Sequence, residues 1–91
     1  MESIMNTQKE VCYLCGRHTA SDKHHVFNGA GMRTKSEQYG LTVYLCRECH
    51  SSIHVNAVKR MDLKRHAQER AMKLYGWSMD DWLEKMNKNY L

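Results

Sequence analysis

A small α+β fold is what this 91-residue sequence predicts, on three observations. Cys12 and Cys15 (C-Y-L-C) and Cys46 and Cys49 (C-R-E-C) form two Cys-x-x-Cys pairs, with thirty residues between Cys15 and Cys46. Two short β-prone segments lie between those pairs, at 24–27 (H-H-V-F) and 41–46 (L-T-V-Y-L-C). The chain beyond them carries helical periodicity. Four thiolates at this spacing suit tetrahedral Zn²⁺, because each pair presents two sulfurs from one turn. The metal then closes a loop that contains both strands. A chain this short gains from such a staple, since metal-binding energy becomes folding energy.

Taken in order, residues 1–10 are polar and read as a flexible N-terminal arm, and 11–91 as one domain. Residues 11–16 (V-C-Y-L-C-G) form the first knuckle, with Gly16 permitting the turn. A polar loop leads to the first strand at 24–27. Residues 28–39 (N-G-A-G-M-R-T-K-S-E-Q-Y) read as an irregular loop broken by Gly29 and Gly31. The loop is long for so small a domain, and such loops are often functional. The second strand follows at 41–46. A helix over 47–55 is opened by the second knuckle. A longer helix over 61–75 has Leu63, Ala67, Ala71 and Leu74 as its buried stripe and Gly76 as its stop. Ser78 caps a final helix, with Asp81 in its first turn and Met79, Trp82, Leu83 and Met86 on its buried face. The closing 87–91 (N-K-N-Y-L) ends in apolar residues and is expected to dock.

The formal net charge is +4 and the pI about 9.0, a mildly basic balance that favours a polyanionic partner. No apolar run reaches membrane-span length, and the first residues lack the pattern of a secretory signal. The chain is therefore expected to be soluble and cytoplasmic, where paired thiols hold metal more readily than they form disulfides.

His50 and His54 fall at i and i+4 on one helical face, a standard spacing for two imidazoles on one ion. The doublet His24-His25 is the richest source of a third ligand. Neighbours on a strand point to opposite faces, so two different jobs fit better than two ligands on one ion. One histidine can bind the metal while the other takes a proton from water, a task suited to imidazole's near-neutral pKa. The competing possibilities are that His50 or His54 enters the zinc shell, or that the doublet is solvated loop. His18 and His66 read as surface residues. Arg33 and Lys35 lie in the long loop, Arg47 in the second knuckle, and Lys59, Arg60, Lys64, Arg65, Arg70 and Lys73 on the long helix. They suit phosphate contacts or, for the helix set, an ordinary solvated face.

The knuckles and histidines across residues 12–54 resemble the HNH (ββα-metal) nuclease family. In that family a strand, a loop, a second strand and a helix pinch one divalent ion, and many members add a zinc held by two Cys-x-x-Cys knuckles. Residues 24–54 and the closing N-K-N-Y-L look like small phage-encoded HNH proteins related to the recombination-enhancing nuclease that acts with the RecA filament. The resemblance implies a treble-clef-like ββα-metal core over 11–56 and C-terminal helices over 57–91. It implies a metal-dependent DNA endonuclease with His25 as general base, and the lack of a clear base-edge reader in the sequence predicts low sequence specificity. His24, His50 and His54 would ligate a catalytic ion, Mg²⁺ or else Mn²⁺ or Zn²⁺. Cys12, Cys15, Cys46 and Cys49 would hold structural zinc. Arg33 or Lys35 would clamp the scissile phosphate, Lys64 would contact DNA, and a RecA-type filament is the implied partner. The family's middle asparagine is not matched at 39–42 (Y-G-L-T), so Gln38 or a backbone carbonyl would have to replace it. The alternative is a non-catalytic zinc-ribbon module that binds nucleic acid, or a recombination accessory protein. An open, exchangeable metal site separates the nuclease from both.

Overall fold

Two four-residue strands, β1 (Asp22–His25) and β2 (Thr42–Leu45), pair antiparallel. Asp22 lies opposite Leu45, Lys23 opposite Tyr44, His24 opposite Val43 and His25 opposite Thr42. Opposed residues share a face and successive residues alternate, so Asp22 and His24 take one face and Lys23 and His25 the other. These elements come from a computed structural model that describes residues 2–6 and 8–91. β1 starts two residues before the expected strand and stops at His25, although the Val26 N–H still donates to the Leu41 carbonyl at 3.1 Å.

The outer edge of β2 is covered by the chain's beginning. Tyr44 N donates to Asn6 Oδ1 at 3.0 Å, Tyr13 N donates to the Tyr44 carbonyl at 2.9 Å, and the Ser3 hydroxyl donates to the Thr42 carbonyl. Ile4 N donates to the Gly40 carbonyl at 2.9 Å. These contacts satisfy an edge that would otherwise template pairing with another chain. Residues 3–6 of the expected arm thus lie on the sheet edge; Met1 and Thr7, also within that arm, are outside the described residues.

The stretch expected as an irregular loop contains a helix, α1 (Met32–Tyr39). Its glycines bound it rather than break it. Gly31 is the N-cap at φ 78° and Gly40 the C-cap at φ 72°, both left-handed conformations that glycine adopts without a Cβ penalty. The helix is polar on nearly every side, and Ser36 is its buried residue. Ser36 Oγ donates to the Phe27 carbonyl at 2.6 Å and accepts from Phe27 N at 3.0 Å. Tertiary hydrogen bonds, not an apolar stripe, anchor it.

Three helices follow: α2 (Arg47–Val55), α3 (Ala57–Tyr75) and α4 (Met79–Met86). α2 has the bounds its sequence predicts. α3 begins earlier than expected because Asn56 caps it, accepting from Lys59 N at 3.0 Å. Leu63, Ala67 and Ala71 are buried as expected, but Leu74 is 48% exposed. Gln68 takes the buried place instead. It accepts from Tyr90 N at 2.7 Å and donates to Asn89 Oδ1 at 3.0 Å, so the tail docks through it. Ser78 and Asp81 form a reciprocal capping box at the start of α4. Trp82 and Met86 are buried and Met79 partly so, whereas Leu83 is 37% exposed. The core joins Phe27, Leu41, Val43 and Leu45 to Ile53 of α2, Leu63 of α3 and Trp82 of α4. Among the described residues no helix is long and apolar enough to cross a membrane.

Candidate metal centres

The sulfurs of Cys12, Cys15, Cys46 and Cys49 all lie within 4.8 Å of one another, and Cys15 Sγ is 3.8 Å from Cys46 Sγ. A tetrahedron built on Zn–S bonds of about 2.3 Å has S···S edges of about 3.8 Å. A disulfide needs about 2.05 Å, and all four thiols are free. The first knuckle is closed by Gly16 N donating to the Cys12 carbonyl at 2.9 Å and Cys12 N donating to the Arg17 carbonyl at 2.8 Å. The second is the start of α2, with Cys46 as N-cap.

The electrostatics of these thiols call for a cation. Burial pushes the Cys12 thiol up, but backbone N–H groups of Cys46, Cys15 and Leu14 outweigh it and bring the group down to about 6. Burial pushes Cys49 up, and the sulfurs of Cys46, Cys12 and Cys15 add to it, to about 12. The Cys12 thiol ionises readily, and Cys49 beside it is held protonated. A divalent ion at the centre removes that conflict, because a coordinated thiol is deprotonated outright. The four cysteines can therefore hold a metal, and their dimensions are those of zinc.

His24, His50 and His54 form a second cluster whose ligand nitrogens lie within 4.8 Å of one another. Ring centroids are 5.3 Å apart for His24 and His50, 5.9 Å for His24 and His54, and 4.7 Å for His50 and His54. β1 supplies the first imidazole, and successive turns of α2 supply the others. His24 is only 7% exposed. Burial lowers its pKa from 6.5 to about 4, with repulsion from His50, His54, His25 and Lys64 adding to the effect. It is neutral at pH 7, the form that ligates metal. His50 Nδ1 lies 2.9 Å from Asp22 Oδ2. That contact assigns the proton to Nδ1 and leaves the Nε2 lone pair free, the carboxylate–histidine arrangement that orients metal ligands. The hydrogen bond from His50 also holds the Asp22 carboxyl below its ordinary range. His54 is exposed, so the cluster is open on one side.

His25 faces away from this cluster. Its Nε2 is 2.7 Å from Glu37 Oε2, and the other Glu37 oxygen accepts from Lys23 Nζ at 2.6 Å. Those two contacts, Lys23 first, bring the Glu37 carboxyl down to about 2. Gln38, the candidate substitute for the unmatched asparagine, is exposed; the side chain that meets His25 is Glu37. Arg33 lines the hollow at His25 together with Thr34 and Glu37. Lys35 is not in that group, and its Nζ donates to the Lys85 carbonyl at the end of α4. Lys64 lines a separate cavity of about 240 Å³ with His24, His54, Asn28 and Arg60. Burial lowers the pKa of Lys64, and the charges of Lys88 and Arg60 lower it further. His18 and His66 are exposed, as expected.

Sequence reasoning singles out neither Asp22 nor Glu37. Asp22 carries a readable signal, since it precedes His24 by two residues and shares its strand face. Glu37 carries none while residues 28–39 are taken for irregular loop. Comparison with protein-family models, with curated proteins and with solved structures finds no match to this chain. What the chain itself supplies is a small α+β fold with a two-stranded sheet, four cysteines that can hold zinc and three histidines that suit a second metal.

Proposed function

We propose that this chain is a metal-dependent endonuclease of the HNH type that hydrolyses DNA phosphodiester bonds. The observation that carries the reading is the division of labour within one dipeptide. His24 joins His50 and His54 on one face of β1, while His25 sits on the other face against a carboxylate. That is a ligand set beside a base, and a purely structural metal needs no base. A divalent ion bound by His24, His50 and His54 would supply Lewis-acid stabilisation of charge on the phosphoryl and leaving 3′ oxygens.

The remaining work belongs to the side chains. Glu37 accepts from His25 Nε2, which leaves the Nδ1 lone pair to take a proton from the attacking water. Lys23 fixes the other Glu37 oxygen and so limits where the imidazole can turn. Glu37 here fills the orienting role that the family gives to asparagine. Arg33 borders the same hollow, where its guanidinium can pair with a phosphate oxygen. Asp22 holds His50 with Nε2 forward. The mildly basic balance fits a polyanionic substrate. Among the described residues no element is an evident reader of base edges, which fits targeting by DNA structure or by a partner such as a RecA-type filament.

The test is plasmid nicking by purified protein with Mg²⁺, Mn²⁺ or EDTA, with and without a RecA filament. Nicking should require the added ion and should be lost in His25→Ala at unchanged fold and metal content. Glu37→Gln should keep part of the rate and Glu37→Ala little. No cleavage under any of these conditions would favour a zinc-containing binding module. Cleavage unaffected by His25→Ala would remove the proposed base.

A further inference from the structure

The tail beyond α4 brings a cation to the same aromatic ring as Lys64, a residue of the histidine cavity. The Tyr90 ring packs on Phe27 with centroids 5.1 Å apart, and Tyr90 N is held by buried Gln68. Two ammonium groups lie over that ring, Lys64 Nζ at 5.6 Å and Lys88 Nζ at 5.4 Å from its centroid. Lys64 and Arg60 also line the cavity shared with His24 and His54. Arg60 Nη1 donates to the carbonyls of Ile53 and His54, which ties its guanidinium to the end of α2. Arg60 and Lys64 of α3 thus line one opening, and Lys88 of the tail meets the same Tyr90 ring as Lys64.

Among the described residues no acid lies within ion-pair distance of these cations. The ion pairs of the described residues join Arg17 to Glu48, Lys23 and His25 to Glu37, and His50 to Asp22. Among the described residues none involves Arg60, Lys64 or Lys88. Cation–π contact helps to position the lysines, at roughly 0.5–1 kcal/mol each for exposed groups. It leaves Lys64 and Lys88 without an acid partner among the described residues. An anion at the opening would serve in its place.

We propose that Arg60, Lys64 and Lys88 form a phosphate subsite beside the histidine cluster, and that the C-terminal tail is part of it. The ligand is a backbone phosphate of DNA, one adjoining the phosphate at the histidines. This identification rests on the nuclease reading, because that reading places a DNA strand at the same opening. A phosphodiester carries one charge and exposed oxygens, which ammonium and guanidinium groups spaced around a groove can share.

The test is the salt dependence of binding by the full-length, zinc-containing protein. Anisotropy of a labelled DNA duplex is measured between 50 and 200 mM salt without added divalent ion. Each phosphate contact contributes about −0.9 to the slope of log K against log salt. The double variant Lys64→Gln, Lys88→Gln should lower the slope's magnitude by about 1, and its affinity loss across that range should be about threefold smaller. Arg65→Gln with Lys73→Gln removes the same charge from exposed positions outside the cavity and should leave the slope near that of the parent. Equal slope changes in the two double variants, or none in the first, would overturn the subsite. Displacement of DNA by inorganic phosphate at low concentration, beyond the effect of chloride at equal ionic strength, would also overturn it in favour of a small-anion site. Because the readout is binding, failure of the subsite is separable from failure of the nuclease reading, which nicking decides.

Discussion

Replacing Asp22 with alanine removes a carboxylate from the histidine cluster while leaving all three imidazoles in place. Asp22 Oδ2 lies 2.9 Å from His50 Nδ1, and the side chains are 24% and 26% exposed. Loss of such a partner typically weakens metal binding about 10–100-fold. Partial exposure lets water replace some of the orienting effect, so the expected loss is about tenfold to thirtyfold, or roughly 1.4–2 kcal/mol. Asp22→Asn keeps an acceptor but not the charge and should lose less. The assay is calorimetric titration of Zn²⁺ into protein whose cysteine site is already filled, so that only the histidine cluster responds. Urea unfolding of the same sample should change little, because the Asp22 side chain is part-exposed and its hydrogen bonds go to Ser21 and His50. An Asp22→Ala protein that binds the second metal as tightly as the parent would refute the argument that His50 spends Nδ1 on Asp22 and offers Nε2 to the ion.

Cys46→Ser, or exhaustive chelation, should leave the chain largely unfolded by circular dichroism, since structural zinc contributes on the order of 10 kcal/mol to domains whose net stability is about 5–15 kcal/mol; a folded, reduced preparation without zinc would contradict this. His24 gives a pH dependence of defined sign. The unfolded chain takes up a proton near 6.5 and the folded one only near 4, so stability without metal at the histidines is full above pH 6.5 and falls toward pH 4. The expected loss is about 3 kcal/mol, and His24→Gln should lack that part of the slope when the two unfolding curves are compared. Gly40→Ala places a Cβ 2.5 Å from the Glu2 carbonyl oxygen at φ +72°, so it should cost about 1–3 kcal/mol in urea denaturation. An unchanged midpoint would mean that the N-terminal segment does not lie against Gly40.

Where chemistry alone determines position, the sequence was readable. The Cys-x-x-Cys spacing brought four sulfurs together, and the i, i+4 histidines met on α2 at the bounds expected for that helix. Strand alternation put His24 and His25 on opposite faces, and the burial of one and the carboxylate contact of the other follow from it. α1 was not readable because nothing in M-R-T-K-S-E-Q-Y makes an apolar stripe; the helix is held by Ser36 bonding to Phe27, a contact invisible in a local window. Leu74 and Leu83 fit a helical stripe by spacing alone, but the core reaches neither. Gln68 is buried against expectation because a tail twenty residues further on supplies its partners. Such long-range polar pairing is what a one-dimensional pattern lacks.

The two candidate centres share one rigid piece. Cys46 and Cys49 open α2, and His50 and His54 continue it without a break. The loop between Cys15 and Cys46 contains β1, and with it His24. Until the thiols close around an ion, the strand that supplies one imidazole and the helix that supplies two are linked by the chain between them and by the core. Closure of the cysteine site around an ion would set the span across which the imidazoles must reach. The histidine cluster therefore has fixed dimensions only in a chain whose cysteine site is closed, and oxidation of the thiols would leave it without them.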